Sequence, residues 1–156
     1  MKHTFAVFVL LSVVGITAFG QSIYPPDKES LLKGEPAGRT LVAERNGYLS
    51  PEKIIASKDQ LNLSKDQLRK IDEMLKNLPV SATVKGQEIV EAEEDLNRAF
   101  ENGAMTEKVL RAKLERINKL RADLNFAFLQ VHLKIKQILS ANQWEKVKEL
   151  HAGEIK

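Results

Sequence analysis

Cysteine is absent from the 156-residue sequence, and the chain has only three histidines and one tryptophan. Without cysteine the chain can form no disulfide, offers no thiol nucleophile and lacks the residue of a lipid-attachment motif. The formal net charge is only +3, whereas nucleic-acid-binding domains usually carry a strong basic excess clustered in a stripe. We therefore expect neither thiol chemistry nor nucleic-acid binding.

One long apolar run is present, at residues 5–19, after the short basic start Lys2-His3. Its length falls short of the roughly 20 residues that a membrane-spanning helix needs. Ala18 and Gly20 supply small residues for cleavage before Gln21. We predict a cleaved signal peptide at residues 1–20, export to the periplasm, and no stable membrane insertion. An uncleaved membrane anchor is the alternative.

Residues 21–49 combine three prolines with three glycines and show no helical period. We predict an extended or disordered N-terminal arm there, followed by one helical domain at residues 50–152. The scattered apolar side chains of the arm could dock on a helix surface, or the arm could remain a mobile leader.

Two stretches have the spacing of a capping box preceded by a leucine. In each, the serine hydroxyl can accept a hydrogen bond from the glutamine backbone N–H, and the glutamine side chain can reach back to the serine N–H. The leucine can pack against an apolar residue five positions later, as a hydrophobic staple. The motif residues are Leu63, Ser64 and Gln67 in the first box and Leu139, Ser140 and Gln143 in the second. The boxes predict the starts of a long helix and of a short last helix.

Two long amphipathic helices are predicted, at residues 65–101 and 107–139, the second capped by Thr106. Apolar residues recur in steps of three and four along both, and the four-residue turn at 102–105 makes them antiparallel neighbours. Pro79 should kink the first helix. A short helix should begin at Ser50-Pro51 and include residues 57–61. The fold class is therefore all-α, a long antiparallel helical hairpin with short flanking helices.

The charges of the two long helices are complementary. The first carries nine acidic and six basic residues, and the second carries three acidic and eight basic residues. Antiparallel pairing should place the acidic run at 91–95 beside Arg111, Lys113 and Arg116. Since a two-helix hairpin has little interior, its apolar stripes need a second layer, supplied by the short helices, a second copy of the chain, or both. We expect a homodimer.

The residues that suit binding lie on the second long helix. Basic and bulky apolar side chains together can hold an unfolded or partly folded protein through apolar contact and long-range attraction. The candidates are Arg111, Lys113, Arg116, Lys119, Arg121, Phe126 and Leu133. Phe128, on the apolar seam, is expected in the core instead.

Catalysis and metal binding are not expected. No glycine-rich phosphate loop occurs, and neither mature-chain histidine has a local partner that would orient it as a base. We predict no catalytic residue, no cofactor and no metal ligand. His132 should be a surface or interface histidine, although a dimer could bring it near Met74, Met105 or a glutamate of another copy.

The repeated Leu-Ser-x-x-Gln motif resembles the LTxxQ motif of the Spy/CpxP family of periplasmic stress proteins and their heavy-metal-resistance relatives. The resemblance covers roughly residues 47–151, with serine in place of threonine in both boxes. It implies a cradle-shaped antiparallel dimer that acts as an ATP-independent chaperone, or that binds a membrane signalling protein during envelope stress. The alternative it implies is a periplasmic heavy-metal-responsive sensor or resistance protein.

Overall fold

The structure, a computed structural model, describes residues 27–154. The predicted signal peptide and residues 21–26 lie outside the described residues. Every regular element within residues 27–154 is an α-helix, which confirms the all-α class. In chain order the helices are α1 (Lys28–Lys33), α2 (Leu41–Glu44), α3 (Pro51–Ala56), α4 (Lys58–Leu61), α5 (Lys65–Glu101), α6 (Glu107–Ile138) and α7 (Ala141–Glu154).

Helices α5 and α6 form the predicted hairpin. They run antiparallel, since Asp95 pairs with Lys113 near the turn while Ile71 and Ile135 share an apolar cluster at the other end. The Thr106 hydroxyl caps α6 by accepting a hydrogen bond from the backbone N–H of Val109 at 3.2 Å. Helix α5 continues through Pro79, and the kink expected there stays a prediction.

The two capping boxes form as predicted and also contact each other. Ser64 and Ser140 each accept from the N–H of their own glutamine, and each glutamine Oε1 accepts in return from its serine N–H at 2.9 Å. The glutamine amides also pair, with Gln67 Nε2 lying 2.8 Å from Gln143 Oε1 and Gln143 Nε2 lying 3.1 Å from Gln67 Oε1. The motif repeat therefore builds one joint between the starts of α5 and α7.

The same two amides bind the chain that leads into the opposite box. Gln67 Nε2 donates to the carbonyl of Ile138, two residues before Ser140, at 3.0 Å. Gln143 Nε2 donates to the carbonyl of Asn62, two residues before Ser64, at 3.3 Å. The two boxes are thus related by an approximate two-fold arrangement, and they satisfy carbonyls that the ends of α4 and α6 leave open.

The core consists of two apolar clusters along the hairpin. The cluster at the base lies beneath α3, α4 and α7, and comprises Leu49, Ile54, Leu61, Ile71, Val131, Ile135, Leu139 and Val147. The middle cluster comprises Leu31, Ala82, Ile89, Val90, Leu124 and Phe128. Phe128 is therefore core, as predicted. The short helices supply the second layer as far as α1 reaches, and the end of the hairpin near the turn extends beyond them.

The N-terminal arm differs from the prediction. Between residues 27 and 49 it contains α1 and α2, so it is neither extended nor disordered over that span. Its docking on a helix surface, one of the two alternatives, is confirmed by Leu31, which is 1% exposed in the middle cluster. We call residues 27–34 the strap. The prediction failed because a six-residue helix with a single buried side chain leaves no periodic pattern to read.

Gly86 permits the strap to lie close to α5. A Cβ atom at Gly86 would be 2.0 Å from the carbonyl oxygen of Leu31, so only glycine allows the two backbones to approach this closely. Glycine in the middle of a helix costs about 1 kcal/mol relative to alanine. Burial of the Leu31 side chain is worth about 1.5–3 kcal/mol and more than offsets that cost.

The start of the strap is fixed by charge. Both carboxylate oxygens of Asp27 accept from the Arg121 guanidinium, at 3.0 and 3.1 Å, and one also accepts from Arg39. Arg121 Nε lies 2.9 Å from the Glu93 carboxylate, and Lys28 Nζ lies 3.1 Å from Glu94. The hydrogen bond from Arg121 is the main reason why the pKa of Asp27 lies below its usual range, although partial burial opposes the shift.

The predicted charge register is correct in part. Asp95 pairs with Lys113, as expected, but Glu93 pairs with Arg121 and Glu94 pairs with Lys28 of the strap. Arg111 pairs with Glu107 on its own helix. The acidic run of α5 therefore holds the strap as well as α6.

The short helix expected to include residues 57–61 is divided at Ser57. Helix α3 ends at Ala56 and α4 begins at Lys58, and Ser57 itself has φ −95° and ψ 14°. Serine favours helix starts over helix interiors because its side chain competes for backbone hydrogen bonds. Asn62 then ends α4 in the left-handed conformation, which asparagine tolerates better than most residues.

Replacing either glutamine of the joint should destabilise the protein, because it removes that residue's own helix cap, its bond to the other glutamine and the donor to a backbone carbonyl. We expect Gln67→Ala and Gln143→Ala each to lower the free energy of unfolding by about 1–3 kcal/mol. The double variant should cost less than the sum, since the two changes remove one shared interaction. Urea denaturation followed by circular dichroism measures all three. Gln137→Ala, exposed on α6, is the control, and strict additivity would contradict the coupling.

Acid should loosen the strap. Because the folded pKa of Asp27 is lowered from its ordinary value of 3.8, its stabilising contribution is present above that value and is lost as the pH falls through the folded pKa. Asp27→Asn should lower the free energy of unfolding at neutral pH by about 1 kcal/mol or less, because the pair is partly exposed and screened by solvent. In strong acid the difference between wild type and variant should disappear.

Urea denaturation of both proteins across an acid-to-neutral pH series measures this effect. Glu88→Gln, an exposed carboxylate on α5, is the matched control and should show no comparable pH dependence. A destabilisation by Asp27→Asn that stays constant down to strong acid would contradict the assigned role.

Candidate binding surface

Both apolar binding candidates lie on one exposed face of α6. Phe126 is 62% exposed and Leu133 is 51% exposed. Lys119, Phe126 and Leu133 are spaced by seven residues, and Leu129 falls between the last two, so the four side chains follow one face of the helix. We call these four residues the outer stripe. It is distinct from the face of α6 that packs on α5.

A shallow apolar groove adjoins the outer stripe where α2 meets α6. It encloses about 330 Å³, and almost all of its accessible lining is apolar. Leu129 and Leu133 form the α6 side, and Val42, which is exposed, forms the α2 side. Tyr48 closes one end. The groove and the stripe together give a continuous apolar surface flanked by basic groups.

His132 forms the floor of this groove and differs from the prediction. It is 2% exposed, so it is a core residue and not a surface or interface histidine. Its Nδ1 lies 2.9 Å from the carbonyl oxygen of Tyr48 and 3.2 Å from that of Leu49. Since carbonyls only accept, Nδ1 must carry the proton in both contacts. The histidine thus fastens the segment before α3 to α6, a role that depends on long-range contacts and has no local sequence signal.

An aromatic pair borders the groove. The Tyr48 and Trp144 ring centroids are 5.1 Å apart with the rings tilted by 57°. Lys136 Nζ lies 5.4 Å and 5.1 Å from the two centroids, within range of a cation–π attraction. This group has no local sequence signal, because Tyr48 is distant in the sequence from Lys136 and Trp144. It rigidifies the base of the hairpin beside the outer stripe.

The five basic candidates divide into two groups. Lys113 and Arg121 face the neighbouring elements and are occupied by Asp95 and by Asp27 with Glu93, respectively. Arg111, Arg116 and Lys119 are exposed. Lys119 pairs with Asp123 on the solvent side. The structure therefore places three of the five where a partner could reach them, and only Lys119 lies on the outer stripe.

The end of the hairpin near the turn carries further exposed apolar groups. Phe100 is 56% exposed and Leu114 is 43% exposed. Leu110 and Leu114 line a groove of about 300 Å³ with Arg111 and Asn118. Leu110 and Leu114 belong to the same predicted seam as the buried Ile117 and Leu124. The seam thus continues beyond the point where the short helices cover it.

Among residues 27–154, no group of three or more His, Cys, Asp or Glu side chains is arranged to hold a metal ion. In the same span, no helix has the length and apolarity to cross a membrane.

The chain was compared with protein-family models, with curated protein sequences and with solved structures. None of the three comparisons found a match. The likeness to the Spy/CpxP proteins therefore depends on the two Leu-Ser-x-x-Gln motifs, and the comparisons neither add to it nor remove it.

Proposed function

We propose that this protein is a periplasmic, ATP-independent chaperone-like protein of the envelope-stress type, and that it binds unfolded or partly folded proteins or a signalling partner. The observation that carries the proposal is the outer stripe with its adjoining groove. A rigid helix presents two large apolar side chains, Phe126 and Leu133, to solvent beside basic groups. Exposed apolar surface of this kind marks interaction sites in proteins that are otherwise well packed.

The chemistry of the surface suits unfolded chains better than one small ligand. Its groove is shallow, and it offers apolar contact with few fixed hydrogen-bonding groups. Small-molecule sites, in contrast, are concave and use precisely placed polar groups. Lys119 adds a basic group at one end of the stripe, in an ion pair with Asp123 that is exposed to solvent. The repeated motif and the predicted signal peptide support the periplasmic assignment.

A homodimer is part of the proposal. Leu114 and Phe100 add exposed apolar groups beyond the short helices, so among residues 27–154 no second layer covers the hairpin end. Antiparallel pairing of two copies would cover that end. It would also bring the acidic face of one α5 near the basic face of another α6.

The client-binding role is tested with a protein that aggregates on dilution from denaturant. Light scattering should fall when the purified protein is added in stoichiometric amounts. Phe126→Ser with Leu133→Ser should remove most of that suppression without lowering the melting temperature, because both side chains are exposed. Val84→Ser on α5, which is also exposed, is the control. An unchanged suppression by the double variant would count against the outer stripe.

The dimer is tested by sedimentation equilibrium. Leu114→Glu should shift the protein from dimer to monomer, since it places a charge in the proposed interface. Val80→Glu, at an exposed site on α5, should leave the mass unchanged. A wild-type protein that sediments as a monomer at all concentrations would contradict this part of the proposal.

A further inference from the structure

The strap lies in a groove that a second polypeptide segment could also occupy. It runs antiparallel to α5, with Lys28 at Glu94, Leu31 at Gly86 and the Gly34 backbone beside Pro79. The groove beneath it lies between α5 and α6. We call it the strap groove, and it is lined by Ala82, Gly86, Ile89, Leu124 and Phe128.

The strap is held by one buried side chain and by ion pairs that are partly open to solvent. Helix α1 has six residues and buries one side chain, Leu31, and a helix of that length has little stability of its own in water. Leu32 on the next position is exposed. The Asp27 ion pairs are partly open to solvent. The strap therefore belongs to the part of the structure that can open locally without global unfolding.

The packing between the arm and the hairpin is also incomplete. A cleft of about 270 Å³, partly open to solvent, lies between the hairpin and the arm residues Gly34, Pro36 and Thr40. Phe128 and His132 form its floor. The arm and the hairpin therefore do not close completely on each other along this edge.

The strap groove favours a segment that carries a carboxylate and an apolar side chain at a fixed spacing. Arg121 binds a carboxylate at one point, and the notch at Gly86 accepts an apolar side chain and a close backbone at another. In the strap these groups are Asp27 and Leu31, four residues apart, a spacing that places both on one face of a helix. Towards the turn the same seam continues to the exposed Leu114, where a longer helix would gain contacts that the strap does not reach.

We propose that the strap groove binds an amphipathic helical segment of a partner protein, with a carboxylate four residues before a leucine-sized apolar residue, and that the strap competes with it in cis. This inference deepens the proposed function, and its biological role rests on that function. It adds to the outer stripe a second binding site, to which the strap controls access. Opening of the strap sets the fraction of molecules that can bind, so the strap lowers the apparent affinity for the partner.

The competition is tested with a fluorescein-labelled synthetic peptide that carries residues 27–34 of this chain, preceded by two helical turns rich in alanine that extend towards the turn of the hairpin. Leu31→Ala in the protein removes the anchor of the strap and leaves the groove intact. Fluorescence anisotropy should show that this variant binds the peptide at least about tenfold more tightly than wild type. Leu32→Ala, one position along and exposed, is the matched control and should bind like wild type. Equal binding by all three proteins would overturn the proposal.

The recognition chemistry is tested on both sides of the contact. A peptide with Asp27→Asn should bind the Leu31→Ala protein several-fold more weakly, because it loses the charge-assisted bond to Arg121. Adding Gly86→Ala to that protein should also weaken binding, since the new methyl group fills the place of the incoming backbone. Unchanged affinity in both cases would show that the peptide binds elsewhere.

A crosslink tests whether a strap that is held closed blocks peptide binding. The protein has no cysteine of its own, so a short bis-maleimide reacts only at the pair introduced by Lys28→Cys and Glu94→Cys. The crosslinked protein should lose peptide binding, and the same variant before crosslinking should bind. A product that runs as a covalent dimer would show that the strap docks on a second copy, which would overturn competition in cis.

The client-aggregation assay separates this inference from the proposed function. If Leu31→Ala binds the peptide tightly but neither it nor wild type suppresses aggregation, the strap groove stands and the chaperone role fails. If wild type, Leu31→Ala and the crosslinked protein suppress aggregation equally and the peptide does not discriminate among them, the chaperone role stands and regulation by the strap fails.

Discussion

The amide pair of Gln67 and Gln143 is the contact on which the rest of the structure depends. It joins the start of α5 to the start of α7, and through the carbonyls of Asn62 and Ile138 it also fixes the chain that enters each helix. Each glutamine uses its oxygen to complete its own helix cap and its nitrogen to reach the other box. The base cluster includes Leu139 of the second box and Leu61, whose carbonyl accepts from Gln143. A core that draws on five helices, α3 to α7, is thereby held in one register.

Arg121 plays the corresponding part farther along the hairpin. In the sequence it interrupts the apolar seam of α6, and it would be costly there if it were left without partners. The structure places it at the edge of the middle cluster, where Asp27 and Glu93 satisfy its guanidinium group. This charged residue on the seam is therefore the attachment point of the N-terminal arm. Its charge is paired within the molecule, and Lys119 is the basic candidate that lies on the outer stripe.

Sequence reasoning succeeded where the signal was local and periodic. The bounds of α5 and α6, their caps at Ser64 and Thr106, and the burial of Phe128 all follow from spacing and capping chemistry. It failed where structure depends on contacts between distant segments. Burial of His132 requires the carbonyls of Tyr48 and Leu49, and the docking of α1 requires the notch at Gly86. Neither contact can be read from the residues that neighbour His132 or Leu31 in the sequence. The exposure of Phe126 and Leu133 could be anticipated, because both fall off the seam.

The position of the glutamine joint has a consequence for how this architecture can vary. The joint, the base cluster and all the short helices lie at or beyond the middle of the hairpin, while the turn after Glu101 is far from them along α5 and α6. Adding or removing matched helical turns on both sides of that turn, at about 5.4 Å per turn, would leave every contact of the base in place. The length of the hairpin can therefore vary independently of its base. Chains with this architecture could differ in hairpin length, and so span partners of different size, while keeping the same contacts at the base.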